Sequence, residues 1–330
     1  MDVGRREKVL AVPALERAGA LERAAAAALE RAGALERAAA AGRRTRGSRV
    51  RTVRTIAEVR EALRGAPTPV GLVPTMGALH EGHIALLERA RAQCATVVMS
   101  LFVNPTQFSG EEDLAAYPRD EARDGELARG AGVDLLFAPT VAEMYPDEFA
   151  TTVVVAGGLS ETLEGASRGP EHFHGVATVV TKLLNIVGPQ IAYFGQKDAQ
   201  QALVIRRLVR DLDIATTIEV CPTVRERDGL ARSSRNAYLS DAERDRAAGI
   251  SQALRSAAAV IAGGERDSEV AARAARAELE RHEIVPEYVA LVDPETLVPV
   301  ERLEAPVLIA VAARVGRARL IDNLVASPGR

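Results

Sequence analysis

The stretch Pro74 to His83, PTMGALHEGH, constrains the fold most, because it joins a continuous apolar run to a periodic one. Val70 to Val73 precedes it, and Ile84, Leu87 and Ala90 follow at helical spacing. This order predicts a buried strand, a tight loop and the start of a helix. A helix start offers backbone N–H groups and a partial positive charge, which suit a phosphate. We therefore expect a phosphate-binding loop here.

His80 and His83 stand three residues apart, so on a helical first turn both imidazoles face the same way. Two such rings can donate hydrogen bonds to an oxyanion that forms in a transition state. A pair of surface histidines is the alternative for these residues taken alone. A metal site is less favoured, because no third ligand stands at suitable spacing. In this context the spacing resembles the motif of HIGH-type nucleotidyltransferases, which transfer adenylyl or cytidylyl groups.

The composition is globular, and 330 residues suffice for one large domain or two smaller ones. A net charge of -3 gives no electrostatic footprint for nucleic acid, and the sequence has no run of 18 apolar residues that could span a membrane. Cys94 and Cys221 are too few for a disulfide framework, so we expect reduced core residues. The N-terminus lacks an apolar signal core. We expect a cytoplasmic protein without nucleic-acid or membrane partners.

Residues 1–49 are expected to form a low-complexity extension and linker, disordered or a frayed helix, that carries no chemistry. Within it, ALERAGALERAAAA at 14–27 recurs unchanged at 28–41. Its apolar face is mostly alanine and too thin to bury much area. The basic stretch Arg43 to Arg54 predicts a solvated linker into the fold.

Residues 50–222 alternate apolar runs with helix-like segments, which predicts an α/β domain with a Rossmann-like, doubly wound parallel sheet. The expected strands are Val70–Val73, Thr96–Val103, Val133–Phe137, Ile191–Phe194 and Ile218–Val220. The expected helices are Ile56–Leu63, one from Gly82, one at about 120–130, Val176–Val187 and one to about Leu212. Ligands of such sheets bind beyond the carboxyl ends of the strands. The motifs PTMG and NPTQF, which follow two of these strands, are therefore expected to face one crevice.

Two later loops carry further candidates for phosphate binding. Gly195 ends a predicted strand, and Lys197 and Asp198 open the next helix. The lysine can reach a phosphate, and the aspartate can either cap the helix or bond a ribose hydroxyl. Only three of the 42 basic residues are lysines, which makes Lys197 more informative. Ser233 to Arg235 is a cluster of donors suited to a polyphosphate, with a capping loop as the alternative.

Residues 223–330 are expected to form a smaller α+β domain that acts as a lid. Helices are predicted at about 241–262 and 268–282, and strands at Glu287–Val292 and Val307–Ala313. A donor loop that closes over phosphates would exclude water from the reaction.

Six motifs, in order, resemble the pantothenate synthetase (pantoate–β-alanine ligase) family: PTMGALHEGH, FVNPTQF, DLAAYPR, HFHGVATVV, FGQKDAQQ and PTVRERDGLARSSRNAYL. The resemblance runs from about residue 50 to Leu324. It implies that pantoate attacks the α-phosphorus of ATP, giving pantoyl adenylate and pyrophosphate, and that β-alanine then displaces AMP. It also implies a homodimer, and Mg²⁺ carried by ATP without a protein ligand that we can name.

The resemblance assigns roles to individual residues. His83 is the residue that the family calls the proton donor, with His80 as its phosphate-binding partner and Lys197 on the phosphates. Gln107 and Gln201 would hold pantoate, and Gln107 also lies at the β-alanine position. The expected ATP-binding residues are Met76, Gly77, Ala78, Leu79, His80, Glu81, Gly82, His83, Gly195, Gln196, Lys197, Asp198, Val224, Arg232, Ser233, Ser234 and Arg235.

Three departures from the family pattern stand out, and one is the N-terminal repeat, which has no counterpart in the family. Arg232 replaces the methionine that usually precedes the two serines, which adds a charge beside the phosphate loop. Arg168 is left out of the site, because its motif is altered by one residue.

Two other functions are open on the sequence. One is a different HIGH-type nucleotidyltransferase that activates another small acid or acceptor, although the glutamines of NPTQF and KDAQQ match a site for a small hydroxy acid. The other is a non-catalytic scaffold whose N-terminal repeat binds a partner.

Overall fold

The computed structural model describes residues 50–108, 114–115 and 117–329; the N-terminal repeat and the predicted extension at 1–49 lie outside these residues. Six parallel strands of the described chain form one sheet in the order β1-β4-β3-β2-β5-β6. Their bounds are β1 Arg51–Val53, β2 Val70–Thr75, β3 Thr96–Leu101, β4 Leu135–Phe137, β5 Ile191–Gly195 and β6 Thr217–Cys221.

Helices cover both faces of this sheet. They are α1 Ile56–Leu63, α2 Glu81–Gln93, α3 Glu121–Gly130, the short α4 Val141–Met144, α5 Gly158–Glu161 and α6 Glu164–Arg168, then α7 Pro170–Val187 and α8 Ala199–Asp211. Neighbouring residues of a strand point to opposite faces. Leu72 of β2 accordingly packs in a core with α7 and α8, while Val73 packs in a separate core with α2 and α3. The doubly wound α/β prediction is confirmed.

The strand order places β2 at the point where the chain reverses direction across the sheet. β2 pairs with β3 on one side and with β5 on the other, both in parallel. Loops that leave neighbouring strands at such a switch point diverge to opposite faces and open a crevice. The Pro74–His83 stretch leaves β2 here, and the Gly195–Asp198 stretch leaves β5.

The C-terminal segment has α+β character, as predicted. Helices α9 Asp241–Ala262 and α10 Ser268–Arg281 precede a three-stranded antiparallel sheet within the described residues. Its strands are β7 Pro286–Val292, β8 Val307–Val315 and β9 Ala318–Ala326. Apolar residues of both helices and all three strands form a third core. The division at residues 222 and 223, and the role of this segment as a lid, stay predictions.

Two strands of the described residues were not predicted from the sequence. Arg51–Val53, expected inside a linker, forms β1 and pairs with β4, with Val53 buried. Three residues are too few to show an alternating pattern, so the linker prediction was wrong there. Strand β9 was not predicted, although it pairs with β8 along its whole length.

The expectation for the two cysteines holds. Cys94 and Cys221 are free and buried, as expected of reduced core residues. In the part of the chain that the structure describes, no helix is long and apolar enough to span a membrane.

Candidate active site

The loop after β2 is held in shape by a buried carboxylate. The amides of Ala78 and Leu79 donate to Asp124 of α3 at 2.9 and 2.8 Å. Gly77 and Ala78 take positive φ values of 89° and 51°. A Cβ on Gly77 would lie 2.8 Å from both Asp124 Oδ2 and Leu101 Cδ1. The glycine therefore permits the backbone turn and also the approach of the carboxylate.

Asp124 was not among the sequence candidates. It is 1% exposed and lies one residue before Gly125 in a helix otherwise rich in surface charge. An aspartate at this position reads as one more surface charge, and its partner amides are 45 and 46 residues away in sequence. The sequence alone held no signal for this contact.

Asp124→Asn should lower the free energy of unfolding by about 1–3 kcal/mol, because the amide has one acceptor oxygen for two buried backbone N–H groups. Urea unfolding measures the change. Asp120→Asn is the matched control, because Asp120 caps the same helix through Arg123 N and asparagine caps as well as aspartate. Equal unfolding free energies for the two variants would contradict this role for Asp124.

The two histidines fold back on the helix start. His80 Nδ1 accepts from the Gly82 amide at 3.1 Å, and His83 Nδ1 accepts from the His80 amide at 3.3 Å. A neutral ring whose Nδ1 accepts carries its proton on Nε2. The ring centroids lie 4.2 Å apart. A Cβ on Gly82 would lie only 2.9 Å from His80 Cε1, so the glycine makes room for this ring.

The surroundings of both imidazoles favour the neutral ring. Burial lowers the pKa of His83 from 6.5 to about 3, and the His80 ring acts in the same direction. Burial lowers the pKa of His80 as well, with a smaller contribution from the charge of Lys197. The amides of Ala78, Leu79, His80 and Gly82 are already used within the loop. Each ring therefore presents an Nε2–H donor, and phosphate binding by backbone N–H groups of this loop stays a prediction.

Lys197 and Asp198 lie in a short 3-10 turn, Gln196–Asp198, between β5 and α8. Lys197 Nζ is 3.4 Å from Asp198 Oδ1, and the lysine side chain is 16% exposed. Desolvation acts to raise the pKa of the Asp198 carboxyl, but the charges of Lys197 and Arg235 outweigh it and hold that pKa below its usual value. Asp198 occupies the N-cap position of α8, but its side chain accepts no capping hydrogen bond there.

The predicted phosphate loop approaches the same crevice. Lys197, Ser233 and Arg235 line one small cavity together with Arg319 and Asp322 of the C-terminal strand β9. Burial lowers the pKa of Arg235, and the nearby charge of Arg168 does so further. Ser233 Oγ accepts from the Arg235 amide at 3.3 Å, so this serine does cap a short 3-10 helix, Ser234–Tyr238. Ser233 therefore has a capping role, and phosphate binding by this loop stays a prediction.

Arg232, the departure from the family pattern, is paired with carboxylates on two sides. Its guanidinium lies 3.2 Å from Glu81 Oε1, at the start of α2, and 3.3 Å from Glu226 Oε1. Glu226 also contacts Arg244 and accepts from Asn236. The Arg232 amide donates to the Val224 carbonyl at 2.9 Å. Its side-chain charge is thus compensated by two protein carboxylates.

Gln107 lies in a polar cluster beside this loop. Its Oε1 accepts from Asn104 Nδ2 at 3.1 Å, and its Nε2 donates to Met76 Sδ at 3.1 Å. His172 Nδ1 donates to the Gln107 carbonyl at 2.7 Å, which fixes the backbone. A thioether is a weak acceptor, so the Nε2 donor can turn to a ligand oxygen at little cost.

The two glutamines that open α8 differ. Gln200 is buried, accepts from the Glu164 amide, and donates to the carbonyls of Leu159 and Thr162. Gln201 is half-buried. The backbone contacts occupy Gln200, and binding of a ligand by Gln201 stays a prediction.

The sequence candidates fall into three groups. The β2 loop carries Met76 to His83, with Leu79 buried in the core. The β5 loop carries Gly195 to Asp198, and the charge of its Lys197 lowers the pKa values of both histidines. The C-terminal loop carries Val224 and Arg232 to Arg235. Arg232 pairs with Glu81 of the β2 loop, and Lys197 lines a cavity with Ser233 and Arg235, so the three groups lie close together. Their roles toward ligands stay predictions.

Comparison with known proteins gives concordant matches. The family profile described as Pantoate-beta-alanine ligase matches residues 49–325. A pantothenate synthetase of Moorella thermoacetica is 54% identical over 277 residues, covering 83% of this chain and 97% of that protein. One from Chloroflexus aggregans is 52% identical over 276 residues, covering 83% and 99%.

Solved structures match over the same range. Pantothenate synthetase from Thermus thermophilus superposes with a TM-score of 0.80 at 52% identity, covering 84% of this chain and all of that one. Pantoate-beta-alanine ligase from Francisella tularensis, complexed with beta-gamma ATP and beta-alanine, gives a TM-score of 0.69 at 33% identity, covering 84% and 97%.

Proposed function

The chain belongs to the pantoate-beta-alanine ligase family, and we propose from this premise that it condenses pantoate with β-alanine, using ATP, to give pantothenate. The reaction passes through pantoyl adenylate and releases pyrophosphate and AMP. The observation that carries the proposal is that two imidazoles with Nε2–H donors lie near Lys197, where β2 and β5 end.

In the first step, a carboxylate oxygen of pantoate attacks the α-phosphorus of ATP, and the bond from that phosphorus to the bridging oxygen of pyrophosphate breaks. The substrate supplies the nucleophile, so catalysis rests on positioning and on stabilising the charge that builds at phosphorus. In the proposal, His80, His83 and Lys197 donate to phosphate oxygens. Asp198 accepts from the ribose, and Val224 lies against the adenine.

In the second step, the amine of β-alanine attacks the acyl carbon of the adenylate. The bond from that carbon to the oxygen of AMP breaks, and the amine loses a proton. Gln107 and Gln201 hold the pantoyl group in both steps, with Gln107 also facing β-alanine. Ser233, Ser234 and Arg235 bind the polyphosphate, and closure of the loop that bears them excludes water from the adenylate.

Mg²⁺ enters in this proposal with ATP, as part of the substrate, and its ligands are phosphate oxygens. Among the described residues no group of three or more His, Cys, Asp or Glu side chains is arranged to hold a metal ion. We also propose that the enzyme is a homodimer in the cytoplasm.

The test is product analysis by mass spectrometry with pantoate, β-alanine and either ATP or CTP. We expect pantothenate and AMP when the nucleotide is ATP, and no product when it is CTP. Turnover with CTP, or an amide product only with another acid, would favour a different nucleotidyltransferase. Deletion of residues 1–49 should leave this activity in place, whereas a scaffold built on the repeat would lose its partner and show no amide product in either form.

A further inference from the structure

A buried asparagine on β9 forms hydrogen bonds to the loop that carries Lys197. Asn323 is 6% exposed, and its Nδ2 donates to the carbonyls of Gln196 and Lys197 at 2.9 and 3.0 Å. Its Oδ1 accepts from Gln196 Nε2 at 3.0 Å. Both hydrogens of the amide and its oxygen are therefore committed to two consecutive residues of the loop after β5.

Asp322, the residue before Asn323, contacts the segment that carries Arg225 and leads to Arg235. Asp322 is 4% exposed and pairs with the Arg225 guanidinium through both oxygens, at 2.5 and 3.0 Å. Arg225 also donates to the carbonyls of Gly229 and Asn323. Bidentate, charge-assisted contacts of this kind fix orientation as well as distance. Asp322 thus anchors the segment that leads to Arg235.

These two contacts have one consequence for the site. Lys197 and Arg235 line the same cavity, which Asp322 also lines. They come from different loops, one attached to the parallel sheet and one to the C-terminal segment. Adjacent residues of one strand, Asp322 and Asn323, hold both loops at a fixed separation.

We propose that Asn323 is a positioning residue for adenylate formation, acting through Lys197. Two hydrogen bonds from the Asn323 side-chain amide to the carbonyls of residues 196 and 197 hold the backbone of Lys197. The lysine ammonium is thereby positioned to contact the phosphates. Misplacement of a catalytic group by 1 Å can lower a rate on the order of 10²-fold. This inference rests on the proposed function, since it concerns the same first step.

The test is a double-mutant cycle on pyrophosphate release with saturating ATP and pantoate. Asn323→Ala alone should lower the single-turnover rate about 10–100-fold, with a smaller change in the KM for pantoate. In a Lys197→Ala background the same substitution should change the rate less than about 3-fold, because the group through which it acts is gone. Asn185→Ala is the control, since exposed Asn185 also donates to a backbone carbonyl, that of Thr181.

If Asn323→Ala lowers the rate by the same factor with Lys197 present and with Lys197→Ala, the inference is overturned. A general loss of structure would give that result, because it lowers the rate in either background. If Asn323→Ala does not fold, judged by circular dichroism, the isosteric Asn323→Asp takes its place. Failure of both to fold would make Asn323 a folding residue and would also overturn it. No pyrophosphate release by the unsubstituted enzyme would instead refute the proposed function.

Discussion

Lys197→Ala should lower the rate of adenylate formation by about 10²–10³-fold, with the fold intact. A single preorganised electrostatic donor typically contributes on the order of 3–4 kcal/mol to a transition state. Lys197 is 16% exposed, lies 3.4 Å from Asp198 and acts by its charge on both histidines, so in the proposed role solvent cannot replace its charge. Rapid-quench measurement of pyrophosphate release from ATP and pantoate gives the rate directly.

Lys182→Ala is the matched control for this experiment. Lys182 lies on α7, where its Nζ is 4.8 Å from the centroid of the Phe149 ring. Its substitution removes the same charge without touching the crevice, and adenylate formation should be unchanged. An unfolded Lys197→Ala protein, or a rate near that of the unsubstituted enzyme, would contradict the role assigned to Lys197.

His83→Ala should lower the same rate by about 10²-fold, whereas His83→Gln should recover part of the loss. The His83 Nδ1 accepts from a backbone amide, so the Nε2–H is the group that can reach a phosphate oxygen. The glutamine amide places an N–H donor near that position, and alanine does not. His282→Gln, on a histidine that follows α10, is the control and should leave the rate unchanged.

The pH dependence separates a neutral donor from an imidazolium acid. Because burial holds the pKa of His83 at about 3, the ring stays neutral through the physiological range. The rate of adenylate formation should therefore show no loss as pH rises through 6.5, the ordinary value for histidine. Such a loss, absent from His83→Gln, would identify a charged acid instead.

The same burial affects stability with a definite sign. Above pH 6.5 His83 is neutral in both the folded and the unfolded chain and contributes no pH dependence. As pH falls from 6.5 toward 3, the unfolded chain binds a proton that the folded chain does not, so folding is progressively disfavoured. His83→Gln should thus lose less stability than the unsubstituted enzyme over that window, as measured by urea unfolding.

Local patterns in the sequence were sufficient to predict most elements of the fold. Helix α1 begins after Thr55 in a capping box with Glu58, a signal that lies within four residues of sequence. The apolar runs of β2, β3 and β5 predicted a parallel sheet, and the motifs that follow β2 and β3 predicted a crevice at its carboxyl edge.

The contacts that shape the site could not be predicted in this way. Asp124 meets Ala78 across 46 residues, and Asn323 meets Lys197 across 126. Each of these side chains looks like an ordinary polar residue in its own segment, and only the tertiary arrangement buries it against a backbone group. The histidine tautomers likewise depend on hydrogen bonds to Gly82 and His80 that spacing alone does not specify.

The central claim is that this site activates pantoate as an adenylate, and pyrophosphate release from ATP and pantoate without β-alanine tests it most directly. We expect one burst stoichiometric with enzyme, which becomes steady turnover with AMP release when β-alanine is added. No burst with pantoate, together with a burst from some other acid, would contradict the claim and reassign the substrate of this crevice.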